Sequence, residues 1–211
     1  IVPSCSFVIY EHSKALEVIE SFFWQFCDDY IELVKNRAYG TADAHGKVPS
    51  DAAVKSARTT LGLGLDAFAR LLAPYLPFAT EEVWSWMHTG EGSVHRAAWP
   101  KADIYAAAAT GASPETLAWA GKAVEQLRKI KSEAKVSMKT PILSVTLAAV
   151  KDGIDAIKSA LDDVAQAGRV IGKFDLAEKH AEEATAEGEG DDTVVIDASE
   201  LGEPPAKKAK K

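Results

Sequence analysis

Cysteine is scarce in this sequence. Only two cysteines, Cys5 and Cys27, occur among 211 residues, too few for a disulfide framework and without the spacing of a zinc site. Cys27 falls on the apolar face of a predicted helix, where a free thiol is commonly buried. The composition excludes a disulfide-stapled scaffold and a cysteine-based metal centre, and it fits a reducing compartment such as the cytoplasm.

Long hydrophobic runs are also missing. No apolar stretch reaches the ~18 residues that a membrane-spanning helix needs, and no basic start followed by an apolar centre marks a secretion signal. The first residue is Ile1 rather than methionine. We therefore expect an excised or processed piece of a soluble, cytoplasmic protein that has no membrane partner.

Sequence patterns typical of an active site are absent as well. No glycine-rich phosphate loop is present, and no nucleophile stands in a recognisable pairing with a base. His45 lies in a polar stretch without a second ligand at metal spacing. We expect no catalytic residue and no metal site in this chain.

The formal net charge of −7 is unevenly distributed. Residues 178–203 carry ten acidic groups and one lysine, whereas residues 204–211 carry four lysines. The remaining residues, 1–177, are nearly balanced, with 19 basic and 21 acidic groups. Whole-chain charge therefore does not exclude a nucleic-acid partner.

Apolar residues at steps of three and four predict two long amphipathic helices, from Ser13 to near Gly40 and from Ser50–Asp51 to about Leu72. Gly62 and Gly64 lie inside the second helix, either as sites of close helix approach or as tolerated glycines. Residues 1–9 have no helical period, and an irregular start is expected there.

A proline corner follows the second predicted helix. Pro74 cannot continue a helix interior, and Pro77 repeats that signal. Thr80 suits an N-cap for a short third helix, since Glu81 and Glu82 then lie in its first turn. Residues 93–99 are predicted to be extended.

The next stretch is the most basic part of the predicted folded region. Residues 101–113 are alanine-rich and compatible with helix or loop, and Ser113-Pro114-Glu115 is a strong helix start. Residues 114–141 carry six basic and three acidic groups. Two interpretations stay open for this basic face, contact with RNA or a solvated helical surface.

The last third of the sequence changes its period. Residues 142–147, 169–174 and 194–196 read as strands, with a helix from Asp152 to Gly168 between the first two. The acidic tract 178–192 and the terminal tail are typical of disorder. The predicted fold is mainly α, an antiparallel helical bundle followed by a small α/β C-terminal unit.

Three ordered motifs carry a family resemblance. The corner Leu76-Pro77-Phe78-Ala79-Thr80-Glu81-Glu82-Val83-Trp84 resembles a segment of the helical anticodon-binding domain in class I aminoacyl-tRNA synthetases for branched aliphatic amino acids. The segments FFWQFCDDYIELVK (22–35) and GSVHRAAWP (92–100) narrow the resemblance to the valyl-tRNA synthetases. The family's catalytic signatures, His-Ile-Gly-His and Lys-Met-Ser-Lys-Ser, are absent from this sequence.

The resemblance implies a domain organisation and partners. Residues 10–141 would form the helical tRNA-binding domain without its first helices, 142–200 a small α/β unit, and 201–211 a basic disordered tail. The implied partners are tRNA(Val) and the catalytic body of the parent synthetase. No cofactor is implied for this chain, whereas the parent would use ATP. A C-terminal coiled coil, expected in many bacterial relatives, is not supported by any sustained heptad repeat here.

RNA recognition of this kind uses basic groups on phosphates and exposed bases stacked on planar side chains. The candidate RNA-binding residues are Lys35, Arg37, Lys55, Arg58, Arg128, Lys129 and Lys131. The predicted function is a tRNA-binding part of a valine–tRNA ligase, which positions tRNA(Val) for ATP-dependent aminoacylation by a catalytic domain absent from this sequence. The alternative is a non-catalytic helical module for protein–protein interaction or bracing.

Overall fold

The computed structural model of the protein describes residues 11–113, 115–178 and 194–202. The described part is mainly helical with a three-stranded sheet near its C-terminal end, which confirms the predicted fold class. The predicted irregular start lies outside the described residues, as do the acidic tract after Glu178 and the basic tail after Gly202. Leu201, the first residue assigned to that tail, is the last residue of β3. The helices are α1 (His12–Gln25), α2 (Glu32–Tyr39), α3 (Asp51–Leu72), α4 (Pro77–Met87), α5 (Ala102–Ala108), α6 (Glu115–Glu133), α7 (Lys151–Ser159) and α8 (Leu161–Gly168), and the strands are β1 (Ile142–Ala149), β2 (Val170–Glu178) and β3 (Val195–Leu201).

The chain divides into two compact units that are not continuous in sequence. The first unit comprises residues 1–31 and 52–111, and the second comprises residues 32–51 and 112–211. In the second unit, α6 packs against α7 and α8, and α2 packs against α8. The unit that holds the sheet therefore includes two helices that precede the predicted boundary between residues 141 and 142.

The first unit contains an aromatic cluster around Phe68. The rings of Phe22, Phe23 and Phe26 lie 5.2–5.4 Å from that of Phe68, centroid to centroid. The first predicted helix is interrupted because residues Phe26–Ile31 form a π-helical segment between α1 and α2. A Cβ atom at Gly64 would lie 2.5 Å from Phe26 Cζ. Gly64 is therefore a site of close approach.

The proline corner differs from the prediction in one respect. Helix α4 begins at Pro77, because proline's fixed φ and missing N–H suit the first helical position. Thr80 lies inside α4, and its hydroxyl donates a hydrogen bond to the Leu76 carbonyl oxygen at 2.9 Å. The prediction that Thr80 is the N-cap is therefore wrong by one helical turn.

Trp84 anchors the core on the inner side of this corner. Its ring is 3 % exposed and belongs to a buried cluster with Ala69, Ala73 and Val94. Its Nε1 donates a hydrogen bond to the Gly92 carbonyl oxygen at 2.9 Å. Trp84 therefore combines apolar burial with a satisfied polar tip, as a buried tryptophan usually does.

The segment after α4 was expected to be extended, and this is only partly correct. Val94–Arg96 form a short 3₁₀ turn, and the Ser93 hydroxyl accepts a hydrogen bond from the His95 backbone N–H at 3.2 Å. The Glu81 carboxylate also accepts from Ser93 Oγ at 2.8 Å and from Val94 N at 3.0 Å. These local side-chain bonds favour a turn where apolar periodicity alone gives no signal.

The second unit is built on a sheet with strand order β2-β1-β3. Strand β1 pairs parallel to β2 and antiparallel to β3. The helix predicted from Asp152 to Gly168 is instead two helices, α7 and α8, separated at Ala160. The fully buried side chains of this unit include Leu127 from α6, Ile142 and Leu147 from β1, Ile157 from α7 and Val164 from α8.

Candidate nucleic-acid interface

Helix α6 presents exposed cations because its other face is fully occupied by packing. Trp119, Val124 and Leu127 are buried on the face that meets the rest of the second unit. Arg128 and Lys129 lie outside that face and are exposed. The helical period thus directs two of the predicted RNA-binding side chains into solvent, as expected.

A single carboxylate links the cations of α2 and α6. The Glu32 Oε2 atom lies 2.5 Å from Lys35 Nζ and 3.8 Å from Arg128 Nη2. All three side chains are between 41 % and 48 % exposed, and ion pairs that exposed contribute little stability. Lys35 and Arg128 therefore stand close together on one surface, where a phosphate can compete with Glu32 for them.

Arg37 is held in a less exposed pair. Its Nη2 lies 2.9 Å from Asp163 Oδ2, and the two side chains are 26 % and 12 % exposed. Burial raises the pKa of the Asp163 carboxyl, and the nearby Arg37 charge opposes that rise. The pair fastens α2 to α8. Contact between Arg37 and RNA stays a prediction.

Lys131 was predicted to lie on the exposed basic face, and this is wrong. The residue is 2 % exposed. Its Nζ donates hydrogen bonds to the carbonyl oxygens of Gly168 at 2.8 Å and Met138 at 3.3 Å. Burial lowers the pKa of Lys131 to about 8, and the positive charge of Arg169 adds to this effect.

A signal for the burial of Lys131 was present in the sequence. Lys131 follows Leu127 by four residues, and residues at that spacing share one face of a helix. Leu127 is fully buried, so Lys131 extends the apolar face rather than the basic one. Lys131 was assigned to the basic face because it was grouped with the neighbouring basic residues, and its place on the apolar face was overlooked.

Lys55 and Arg58 belong to a different part of the fold. Both lie on α3 in the first unit, and both are exposed. The other predicted cations lie on α2 and α6 in the second unit. The candidate RNA-binding residues are thus distributed over both units.

Two further cations, Lys139 and Arg169, were not among the candidates. Together with Lys35, Arg128 and Lys131 they line a cleft of about 200 Å³ in the second unit. The sequence contained a weak indication for Lys139, because it is the last basic residue of the basic stretch 114–141. Arg169 had none in the charge pattern, because only the fold brings the end of α8 next to α6.

Within the described ranges, no group of three or more His, Cys, Asp or Glu side chains is arranged to hold a metal ion. No helix in that same part of the chain combines the length and the apolar content needed to cross a membrane.

Residues 6–147 match the family described as the anticodon-binding domain of tRNA ligase. The chain belongs to this family. The match spans helices α1 to α6 and extends into β1, whereas α7 and α8 lie beyond it. The resemblance predicted from the proline corner and its two neighbouring motifs is thereby confirmed.

Several curated proteins similar to this chain are named valine–tRNA ligases. The enzyme of Bifidobacterium longum strain NCC 2705 is 79% identical over 201 residues, which are 95% of this chain and 22% of that protein. The enzyme of Cutibacterium acnes is 42% identical over 95% of this chain, and that of Thermobifida fusca is 44% identical over 79%. The chain spans about a fifth of the length of these relatives.

Proposed function

We propose that this chain is a tRNA-binding part of a valine–tRNA ligase and that it positions tRNA(Val) for ATP-dependent aminoacylation in the cytoplasm. The main support is the family match over residues 6–147. ATP binding and catalysis are assigned to the catalytic body of the parent enzyme. This chain supplies the basic surface that holds the RNA.

The proposed interface uses charge on a fixed scaffold. Arg128 and Lys129 project from α6, and Lys35 projects from α2 beside Arg128. Cations of this kind contact phosphates, which fixes the orientation of a nucleic acid without reading its sequence. The surface therefore supplies affinity and register, while base recognition belongs to other contacts.

The test is a filter-binding series with tRNA(Val) and a non-valine tRNA over a range of salt concentrations. The unmodified chain should bind at low salt and weaken steeply as salt rises. The double variant Arg128→Gln/Lys129→Gln should bind both tRNAs more weakly, and its salt slope should fall by about 1 for each phosphate that the variant no longer neutralises. The control Lys151→Gln/Lys158→Gln removes the same charge from α7.

Two results would contradict the proposal. The unmodified chain would fail to bind any tRNA at low salt, or the α6 variant and the α7 control would show the same affinity and salt slope. A strong preference of the isolated chain for tRNA(Val) would extend the proposal, because it would show that base recognition is also present here.

A further inference from the structure

The small cleft of the second unit is strongly cationic. Its charged lining consists of five basic side chains and one carboxylate, namely Lys35, Arg128, Lys131, Lys139, Arg169 and Glu32. A concave site lined by one sign of charge attracts ions of the opposite sign more strongly than a flat surface does. Because the only carboxylate in this lining is already shared between Lys35 and Arg128, the cleft is suited to an anion.

Lys131 offers this cleft an ordered donor. An ammonium group has three N–H donors, and two of those of Lys131 are used by the Gly168 and Met138 carbonyl oxygens. Lys131 also lines the cleft. Among the described residues its ammonium group has no third hydrogen-bond acceptor, so the remaining N–H is the one that an anion in the cleft would use.

Lys139 and Arg169 stand on backbone segments that are fixed by hydrogen bonds. The Arg169 carbonyl oxygen accepts from Ile142 N at 2.9 Å, and its own N–H donates to Gln166 O at 3.2 Å. The Lys139 backbone N–H donates to the Ser137 hydroxyl at 3.2 Å. Both side chains are exposed at the cleft, so they can reach an anion without moving the backbone.

A second, larger cleft of about 420 Å³ shares Lys139 and Arg169 with the first. Asn36 and Gln166 line it too, as do the carboxylates Asp43 and Asp162. These carboxylates disfavour an anion in the larger cleft and favour one at the shared end. A phosphodiester carries a nucleoside on each side, and the larger cleft adjoins the small one at Lys139 and Arg169.

We propose that the small cleft binds one phosphodiester group of an RNA backbone, with Lys139 and Arg169 as its principal contacts and Lys131 as a buried donor. The identity of the ligand as RNA rests on the function proposed above. The site itself adds two residues to the RNA contact surface, Lys139 from the segment before β1 and Arg169 from the end of α8.

The test compares two double variants of equal charge. Lys139→Gln/Arg169→Asn removes the shared cations, and asparagine tolerates the left-handed backbone of Arg169, whose φ is 54°. The control Lys135→Asn/Lys151→Gln removes two exposed lysines outside both clefts, and Lys135 also has a positive φ of 52°. Circular dichroism and thermal melting establish that both variants fold.

Two measurements are made on each protein. Inorganic phosphate should shift the backbone NMR signals of Gly168 and Arg169 in the unmodified chain and the control, and should not shift the corresponding signals of the cleft variant. Filter binding with tRNA over a salt series should show a several-fold weaker affinity for the cleft variant and a salt slope lower by about 1 than that of the control.

The outcomes separate this proposal from the broader one. If tRNA binds the unmodified chain but the cleft variant and the control share one slope, the cleft proposal is overturned and the proposed function stands. If phosphate shifts are lost while tRNA binding is unchanged, the cleft takes a free anion rather than RNA, and the proposal is again overturned. If the unmodified chain binds no tRNA, both proposals fail together.

Discussion

The ammonium nitrogen of Lys131 lies 2.8 Å from the carbonyl oxygen of Gly168, the last residue of α8. The final carbonyls of a helix lack partners within the helix and carry partial negative charge. A side chain of α6 thus satisfies the end of α8 and also lines the cationic cleft. One buried lysine thereby connects the packing of the second unit with the cleft that we propose as an anion site.

The lowered pKa of Lys131 predicts that stability depends on pH. Its folded pKa of about 8 lies below the ordinary value of 10.5, so between these values the unfolded chain binds more protons and stability rises with pH. Between pH 8 and pH 9.5 the free energy of unfolding should gain up to about 2 kcal/mol from this residue. Urea unfolding at several pH values should show the rise, and Lys131→Met should remove it. Equal pH profiles for the two proteins would contradict the assignment.

The two tryptophans of α4 are predicted to differ sharply. Trp84→Ala should lower the free energy of unfolding by about 3–5 kcal/mol, because it empties a packed site, and it also removes a hydrogen bond to Gly92. Trp86→Ala is the matched control, since that ring is 70 % exposed, and its effect should stay within about 0.5 kcal/mol. Denaturant melts measure both. A loss below about 1 kcal/mol for Trp84→Ala would contradict its role in the core.

Apolar periodicity and proline chemistry predicted much of this fold. The long helices, the corner at Pro74 and Pro77, the three strands and the exposure of Arg128 and Lys129 all follow from local pattern. The start of α4 was misplaced because two local signals competed, and proline at the first helical position prevailed over the Thr80 cap. The π-helical segment 26–31 had no sequence signal that we recognised.

The candidate site was less accessible to sequence reasoning than the fold. Charge density selected Lys131, although its spacing from Leu127 places it on the buried face. Arg169 was overlooked because its proximity to Lys131 depends on how α6 and α8 pack. Exposed residues on one helix can be predicted from period alone, whereas a cleft formed by several elements requires their tertiary arrangement.

Alanine substitutions at the two interior glycines of α3 should change the free energy of unfolding in opposite directions. A Cβ at Gly62 meets nothing within 4 Å, so Gly62→Ala should raise the free energy of unfolding by about 0.5–1 kcal/mol through helix propensity. A Cβ at Gly64 would overlap the Phe26 ring, and Gly64→Ala should cost about 1–3 kcal/mol through overpacking. Paired urea melts test both. If Gly64→Ala instead raised the free energy of unfolding, the Phe26 ring would be able to shift and accommodate the added methyl group, and the overpacking argument would be wrong.

Two ion pairs on the first turn of α8, Arg37–Asp163 and Lys47–Asp162, should contribute unequally to the free energy of unfolding. Arg37→Ala leaves the Asp163 carboxylate buried without its partner, and loss of a buried partner costs about 3–5 kcal/mol. A cost of about 2–3 kcal/mol is expected here, since Arg37 is 26 % exposed. Lys47→Ala, the control, breaks the exposed Lys47–Asp162 pair and should leave stability nearly unchanged. Equal losses for the two variants would mean that burial does not distinguish the pairs.

The acidic tract should oppose tRNA binding through its charge. Residues 182–192 carry six carboxyl groups, and like charge repels phosphates over roughly a Debye length, about 10 Å at 0.1 M salt. Deletion is unsuitable, because Val194 is buried and β3 begins at Val195. The six acids are better replaced by their amide counterparts, which keeps chain length. The amide variant should bind tRNA more tightly at low salt, and the difference should shrink as salt rises.

The matched control exchanges Glu for Asp and Asp for Glu at the same six positions, which preserves charge and should leave affinity unchanged. If the amide variant and the exchange variant bind tRNA equally at low salt, the tract does not act on RNA binding through its charge.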